Sequence, residues 1–484
     1  MDHRVSLKKS HKIFTNRSLD FGKVKLIGFD MDYTLVEYRR EVFEELAFYE
    51  TLRKFIEAGY PEELLQVKFK PDFFIRGLVV DCARGHILKV DAHKYVKDAY
   101  HGYTQLTKED RHSLYNRQRF HPENFLSVDS FFALSEVQLF AEIVDYMAKH
   151  PSLVQKSFRE VYDDLRKFID LSHQDGSIKA EVLAHPEKYI AKDKNLATTL
   201  VRLKDAGKFL FLLTNSDYSY THSVMSYILD QEHEEFASWK DYWDVIIVSA
   251  GKPGFFVGSQ SFFEIVQNTP YLQPTSKIFL PNKLYYGGNA KTFEESTGYT
   301  GDEILYIGDN LFGDIIRSKS TVNWRTMLIV DELSEQIDRL TENQHFIDEI
   351  NQLLQIKEGI DEDMQRLRSK IAANKRHGFK AQESNQVRKA DLLEGQIQKF
   401  EAQLNAKKEG LKQIEENIKR IIKEREKKLH PVWGGLMNVG LERSRFANQI
   451  RIHACLYSSK VSNLRFYSPY KKFISLYEKM PHME

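Results

Sequence analysis

The chain has 484 residues, 42% of them hydrophobic, and a formal net charge of +1. That is enough for two to four domains with a sizeable core, and it leaves no global field to draw the chain to nucleic acid or a membrane surface. The two cysteines, Cys82 and Cys455, lie far apart and form no CxxC, which suits a reducing cytosol and argues against a disulfide-stapled secreted domain. The opening "MDHRVSLKKSHKIF" has no apolar stretch of signal-peptide length, and no run of about 18 apolar residues predicts a membrane span.

In chain order, "KVKLIGF" (23–29) reads as a buried strand that ends in two aspartates, Asp30 and Asp32. Short apolar runs recur at "FLFLLT" (209–214), "VIIV" (245–248), "ILYI" (304–307) and "TMLIV" (326–330). Helical text lies between the later runs; "LATTLVRLKDAGK" (196–208) ends on Gly207, a C-cap candidate. Strands alternating with helices predict a mostly parallel α/β sheet, with ligands beyond the carboxyl ends of its strands. About 180 residues separate the first two strands, far more than a crossover needs. They predict an inserted domain with its own helical text, "EVQLFAEIVDYMAKH" and "SFREVYDDLRKFIDLSHQ", placed to act as a lid.

Over 333–429 the composition changes. Met364, Leu367 and Ile371 step by three and four, as do Ile397, Phe400 and Leu404, with charges between them. This predicts a long antiparallel helical hairpin, broken over 372–385 around Gly378, with a basic tip. It serves either as a solvated arm or as one that binds a partner. After Pro431 the text turns aromatic again and is expected to pack back onto a globular part. The domain reading is therefore 1–40 with 196–332 as catalytic core, 430–484 packing against it, 41–195 as cap and 333–429 as arm.

Each core strand delivers polar groups at its end: Thr214, Asn215, Ser216 and Asp217 after the second, Lys252 after the third, Asp309 and Asp314 after the fourth. Converging on one sheet edge, they form a phosphate-and-metal site. Asp30 can attack phosphorus, and Asp32 can pass a proton to the leaving oxygen. Thr214 and Lys252 can hold phosphoryl oxygens, and Asp309 with Asp30 can hold a hard cation, most naturally Mg²⁺.

DxDxT, a strand-end Thr, then Lys, then GDxxxGD is the motif set of the haloacid dehalogenase-like hydrolases. More narrowly, "FDMDYTLVEY", "LLTNSDYSYT", "GKPGFF" and "ILYIGDNLFGDI" resemble the cytosolic purine 5'-nucleotidases of the IMP/GMP-preferring type. "RGLVVDCARGHILKVD", "WRTMLIVDEL", "WGGLMNVG" and "FANQIRIHACLY" fit as well, so the resemblance runs along nearly the whole chain. It implies an aspartyl phosphate on Asp30, released by water or passed to a second nucleoside. It also implies Mg²⁺ held by the Asp30 side chain, the Asp32 backbone carbonyl and Asp309, with Asp314 in support.

Substrate recognition is expected from the insertion. Arg166, Asp170 and His173 fall at i, i+4 and i+7 of one helix face, with Lys179 just beyond. A surface ion pair is the alternative for Arg166 and Asp170. The resemblance makes these residues the base readers, Phe132 the stacking aromatic, and Ser216 and Asp217 neighbours of the phosphate or ribose. A 6-oxopurine offers O6 and N7 acceptors to an arginine and an N1 hydrogen to a carboxylate; adenine presents a 6-amino donor and a bare N1 acceptor in their place, and buried groups left unpaired produce strong rejection. The resemblance further implies activation by a purine nucleotide at Arg119, Asp129, Phe312 and Lys319, and a homo-oligomer, a tetramer by likeness; the Asp129 carboxylate could accept from a guanine's N1 and 2-amino hydrogens but disfavours adenine's bare N1, so GTP is expected to be favoured over ATP. The expectation is a cytoplasmic Mg²⁺-dependent 5'-nucleotidase for IMP, GMP and their deoxy forms. The rivals are a related phosphatase acting on another phosphomonoester and a catalytically retired nucleotide-sensing scaffold.

Overall fold

The strand that carries the two aspartates, Leu26–Phe29, is buried at every position, as its unbroken apolar text requires of a strand covered on both faces. The computed structural model describes residues 7–116, 123–151, 154–266, 272–275 and 284–476. Leu26–Phe29 lies inside a sheet of ten strands among these residues. Phe209–Leu213, Val245–Val248 and Leu284–Gly287 follow on one side of it, and Ile304–Gly308, Arg325–Ile329 and Leu456–Ser458 on the other, all parallel. Antiparallel strands, Phe14–Thr15 at one edge and Phe262–Ile265 with Leu272–Thr275 at the other, close the sheet. The expected mostly parallel α/β sheet is present.

Register sets where the chemistry emerges. Phe29 stands opposite Ile307 on one neighbour and Leu212 on the other. Asp30, Thr214 and Asp309, each one residue past the end of its strand, therefore leave the sheet at one edge. Under them lies a core of Phe211, Ile247, Tyr285, Phe293, Tyr306 and Trp324. Helix Leu196–Asp205 stops as its sequence suggests: Gly207 takes φ +73° and its N–H donates to the Lys204 carbonyl at 2.8 Å.

Between the first two core strands the chain builds more than helices. Helices Arg40–Glu57, Phe132–Lys149 and Phe158–Gln174 are joined by an antiparallel sheet of Thr104–Gln105, Val96–His101, His86–Val90, Val79–Asp81 and Phe125–Ser127. The helical reading of the insertion overlooked that sheet. Its strands are short, and His86–Val90 is buried throughout, so no polar-apolar alternation marks it. The helix Phe158–Gln174 starts on a reciprocal capping box between Ser157 and Glu160.

The chain divides into two compact units, one of residues 1–337 with 436–484 and one of 338–435. In the second, helices Gln344–Glu383 and Val387–Leu429 pair through Met364, Leu367, Ile371 and Leu404. Lys357–Glu415, Lys375–Glu401 and Lys407–Asp363 bridge them at 2.7–3.0 Å. The break differs from expectation. The first helix runs through Gly378 to Glu383, and the turn falls at 384–386, where Asn385 adopts φ +53° and the Gln386 N–H reaches the Ala381 carbonyl. Glycine lowers helix propensity, but by only about 1 kcal/mol, which a paired hairpin overrides.

Candidate active site

Lys252 organises the sheet edge. Its ammonium lies 2.8 Å from Asp30 Oδ1, 2.9 Å from Asp314 Oδ1 and 2.8 Å from the Tyr306 hydroxyl. Asn215 fixes the backbone that carries it: the Asn215 Oδ1 accepts from the Lys252 N–H at 2.6 Å, and its Nδ2 donates to the Lys252 carbonyl at 2.9 Å. Asn215, expected at the substrate, here holds the lysine loop. Thr214 is fully buried and accepts from the Ser216 N–H at 3.0 Å.

Asp30, Asp309 and Asp314 bring carboxylate oxygens within 4.8 Å of one another. Three carboxylates face one ammonium. Burial, reinforced by Asp314 and Asp32 and opposed by Lys252, pushes the Asp30 carboxyl up to about 8. Burial, then Asp30 and Asp314, holds Asp309 well above the carboxylate range. The Asp309 Oδ2 is buried with no hydrogen-bond partner. An all-oxygen donor set with a surplus of negative charge and an orphaned buried oxygen fits a hard divalent cation such as Mg²⁺.

The Asp32 side chain points elsewhere. It accepts from the Tyr38 hydroxyl at 2.6 Å on one oxygen and from the Ser216 hydroxyl at 2.8 Å on the other. Burial raises its pKa, while these two donors oppose the shift. Tyr38 also meets the Tyr220 hydroxyl at 2.9 Å, and Lys179 lies 5.4 Å from the Tyr220 ring centroid. Asp217 caps helix Tyr218–Leu229 and pairs with Lys179 at 2.5 Å.

Phe132 stands edge-on to His173, with centroids 5.4 Å apart, and burial pushes the His173 imidazole down to about 4. Arg166 reaches Asp170 at 3.4 Å, as an ion pair would, but its shorter contact is 2.6 Å to Glu136. Sequence reasoning missed Glu136; its place one helical turn after Phe132 was the available signal. Tyr38, Tyr306 and Arg76 were missed too. Arg76 is fully buried and donates to the Asp309 carbonyl at 3.2 Å.

Of the four residues expected to bind an effector, Asp129, Phe312 and Lys319 are among the described residues. Arg119 lies outside the described residues. Asp129 is half-buried; desolvation raises its carboxyl pKa, and the positive charges of Arg445 and Arg76 oppose the shift. Phe312 is 43% exposed with the Arg317 guanidinium 4.6 Å over its ring. Burial lowers the Lys319 pKa, with Arg325 and Arg17 adding to the effect and Asp302 opposing it.

A model of the 5' nucleotidase family matches residues 13–484. The chain belongs to that family. A 5'-nucleotidase domain-containing protein of Dictyostelium discoideum is 27% identical over 97% of this chain and 74% of its own length. The human 5'-nucleotidase domain-containing protein 2 is 29% identical over 70% of this chain and 66% of its own. A solved structure of a predicted phosphoglycolate phosphatase from Haemophilus somnus aligns at 14% identity, over 64% of this chain and 86% of that one, with a TM-score of 0.27, too low to carry weight. Family membership and the strand-end site on a mostly parallel sheet make the chain a phosphoric monoester hydrolase, a nucleotidase or phosphatase. Among the described residues, no helix is long and apolar enough to cross a membrane.

Proposed function

We propose that the chain is a cytoplasmic, Mg²⁺-dependent 5'-nucleotidase that hydrolyses IMP, GMP and their deoxy forms. The observation that carries this reading is the edge where Lys252 bridges Asp30 and Asp314 beside Asp309, with Phe132, His173, Arg166 and Asp170 gathered on the insertion. Asp30, Asp309 and Asp314, with the Asp32 backbone carbonyl, would hold Mg²⁺, which would offset charge on the phosphoryl oxygens.

In the first half-reaction an Asp30 oxygen bonds to phosphorus while the bond to O5' breaks. Asp32 gives its proton to that oxygen; the raised pKa favours the protonated form this step needs. Thr214 and Lys252 steady the transferring group. In the second half-reaction Asp32 takes a proton from water as water attacks phosphorus and frees Asp30. A nucleoside in place of water would give phosphotransfer. Activation by a purine nucleotide, GTP before ATP, at Arg119, Asp129, Phe312 and Lys319, and assembly into a tetramer complete the reading.

A panel of nucleoside monophosphates, with and without Mg²⁺, tests it. IMP and GMP should turn over well above AMP, and only with the cation. Asp30→Asn should abolish turnover with the fold intact, since an amide cannot form the acyl phosphate; near-normal turnover would overturn the covalent route. One observation favours a second reading, the same chemistry on another phosphomonoester: Arg166 already has Glu136 and Asp170 as partners. Equal turnover of all three nucleotides would support it.

A further inference from the structure

We infer that Arg76, clamped by Glu332, is the positioning residue for Asp309; the inference rests on the reading of Asp309 as part of the phosphoryl-transfer site. Arg76 belongs to the insertion, whereas Asp309 follows a core strand. Its side chain is 0% exposed. The Nε and Nη2 donate to the two oxygens of Glu332 at 2.9 and 2.5 Å, and Nη1 donates to the backbone carbonyl of Asp309 at 3.2 Å. The guanidinium lies 4.0 Å from the centroid of Phe131 and 5.7 Å from that of Phe446. The backbone behind it is also fixed. Gly77 takes φ +81°, and a Cβ there would come within 2.6 Å of Phe446.

A buried ion pair is a poor device for stability alone, because an apolar pair of similar volume often serves as well. What an apolar pair cannot supply is the third contact. The planar fork of an arginine grips a carboxylate with two N–H groups and still has one to aim elsewhere. Here that donor holds the peptide oxygen of the residue whose carboxylate Oδ2 has no hydrogen-bond partner. Holding that carbonyl fixes the main chain at Asp309, from which the carboxylate extends toward Asp30 and Asp314. Arg76 touches no reacting atom; it fixes the direction of a group that does. Glu332 stands three residues beyond strand Arg325–Ile329, so the clamp is anchored on the same sheet as the carboxylates.

The test uses the full chain and two variants. Arg76→Lys keeps a buried cation but cannot make the fork and the carbonyl contact together. Arg76→Met with Glu332→Gln removes both charges and so avoids a lone buried carboxylate. Mg²⁺ binding is measured by calorimetry with no substrate, beside the thermal midpoint and the kcat and KM for p-nitrophenyl phosphate and for IMP. The expected result is a loss of Mg²⁺ affinity of about tenfold or more in both variants, as when outer partners of a metal ligand are removed. The kcat should fall alike for the two substrates, with KM within about twofold of wild type. A folded double variant with wild-type Mg²⁺ affinity and kcat would overturn the proposal and leave Arg76 a structural pair. If the double variant does not fold, Arg76→Lys decides on the same binding measurement, and unchanged affinity overturns it. Failure of the IMP assignment would show separately, as poor IMP turnover with the Mg²⁺ shift intact.

Discussion

Asp170 and Arg166 are side by side but half-exposed, at 56% and 48%, so their contribution to selectivity depends on a base arriving to bury them. If Asp170 accepts the N1 hydrogen of a 6-oxopurine, Asp170→Ala should weaken turnover of IMP and GMP by about 1–3 kcal/mol and leave AMP nearly unchanged. Comparison of kcat/KM for the three nucleotides checks this, and an equal loss for all would assign Asp170 to structure. The strand-end residues proposed for phosphoryl transfer were legible because each follows an apolar strand by a residue or a few, and strand ends gather at one edge. Their holders were not. Tyr306 meets Lys252 across 54 positions and Arg76 meets Glu332 across 256. No local pattern marks such a partner, since burial and fold alone bring it near.

At the scale of elements, Gly308 closes the strand Ile304–Gly308 where the Asp314 carboxylate folds back over it. A Cβ at Gly308 would lie 2.5 Å from Asp314 Oδ2 and 2.6 Å from its Cγ. Gly308→Ala should push that carboxylate off Lys252 and lower kcat by about a hundredfold, the cost of a displacement near 1 Å, with the circular dichroism spectrum preserved. The sheet of the insertion offers a different prediction. His86 is buried, with Nδ1 2.7 Å from the Tyr115 hydroxyl. Burial first, then His101, pushes its pKa from 6.5 down to about 4. The unfolded chain therefore binds a proton that the folded one refuses between these values. Stability from this group is fully present above about pH 6.5 and is lost as pH falls toward 4. From pH 7.5 to 5 the loss should be at most about 2 kcal/mol, read as a lower urea midpoint, and His86→Gln should lose less. That sheet escaped sequence reading for the reason His86 is perturbed: its middle strand is enclosed on both faces.

For the whole molecule, the division of the chain separates chemistry from length. Every residue assigned to phosphoryl transfer lies in the unit of 1–337 and 436–484. The unit of 338–435 has its own small core at Met364, Leu367, Ile371 and Leu404, and its helices of 40 and 43 residues carry cross-helix ion pairs. Exposed pairs of this kind contribute roughly 0–1 kcal/mol each, so the hairpin is held mainly by its apolar seam. Its heptad steps were plain in the sequence; the position of its turn was not, because an asparagine in the left-handed region did the work expected near a glycine. Replacing residues 345–425 with a short flexible linker should remove a large share of the helical signal in circular dichroism. The kcat toward the preferred nucleotide should stay within about twofold, since no group that meets phosphorus, cation or base is deleted. Light scattering on the same sample reads assembly. Loss of activity together with loss of a tetramer would make the arm the element that builds the active oligomer, whereas lost activity at unchanged mass would mean that it supports the site itself.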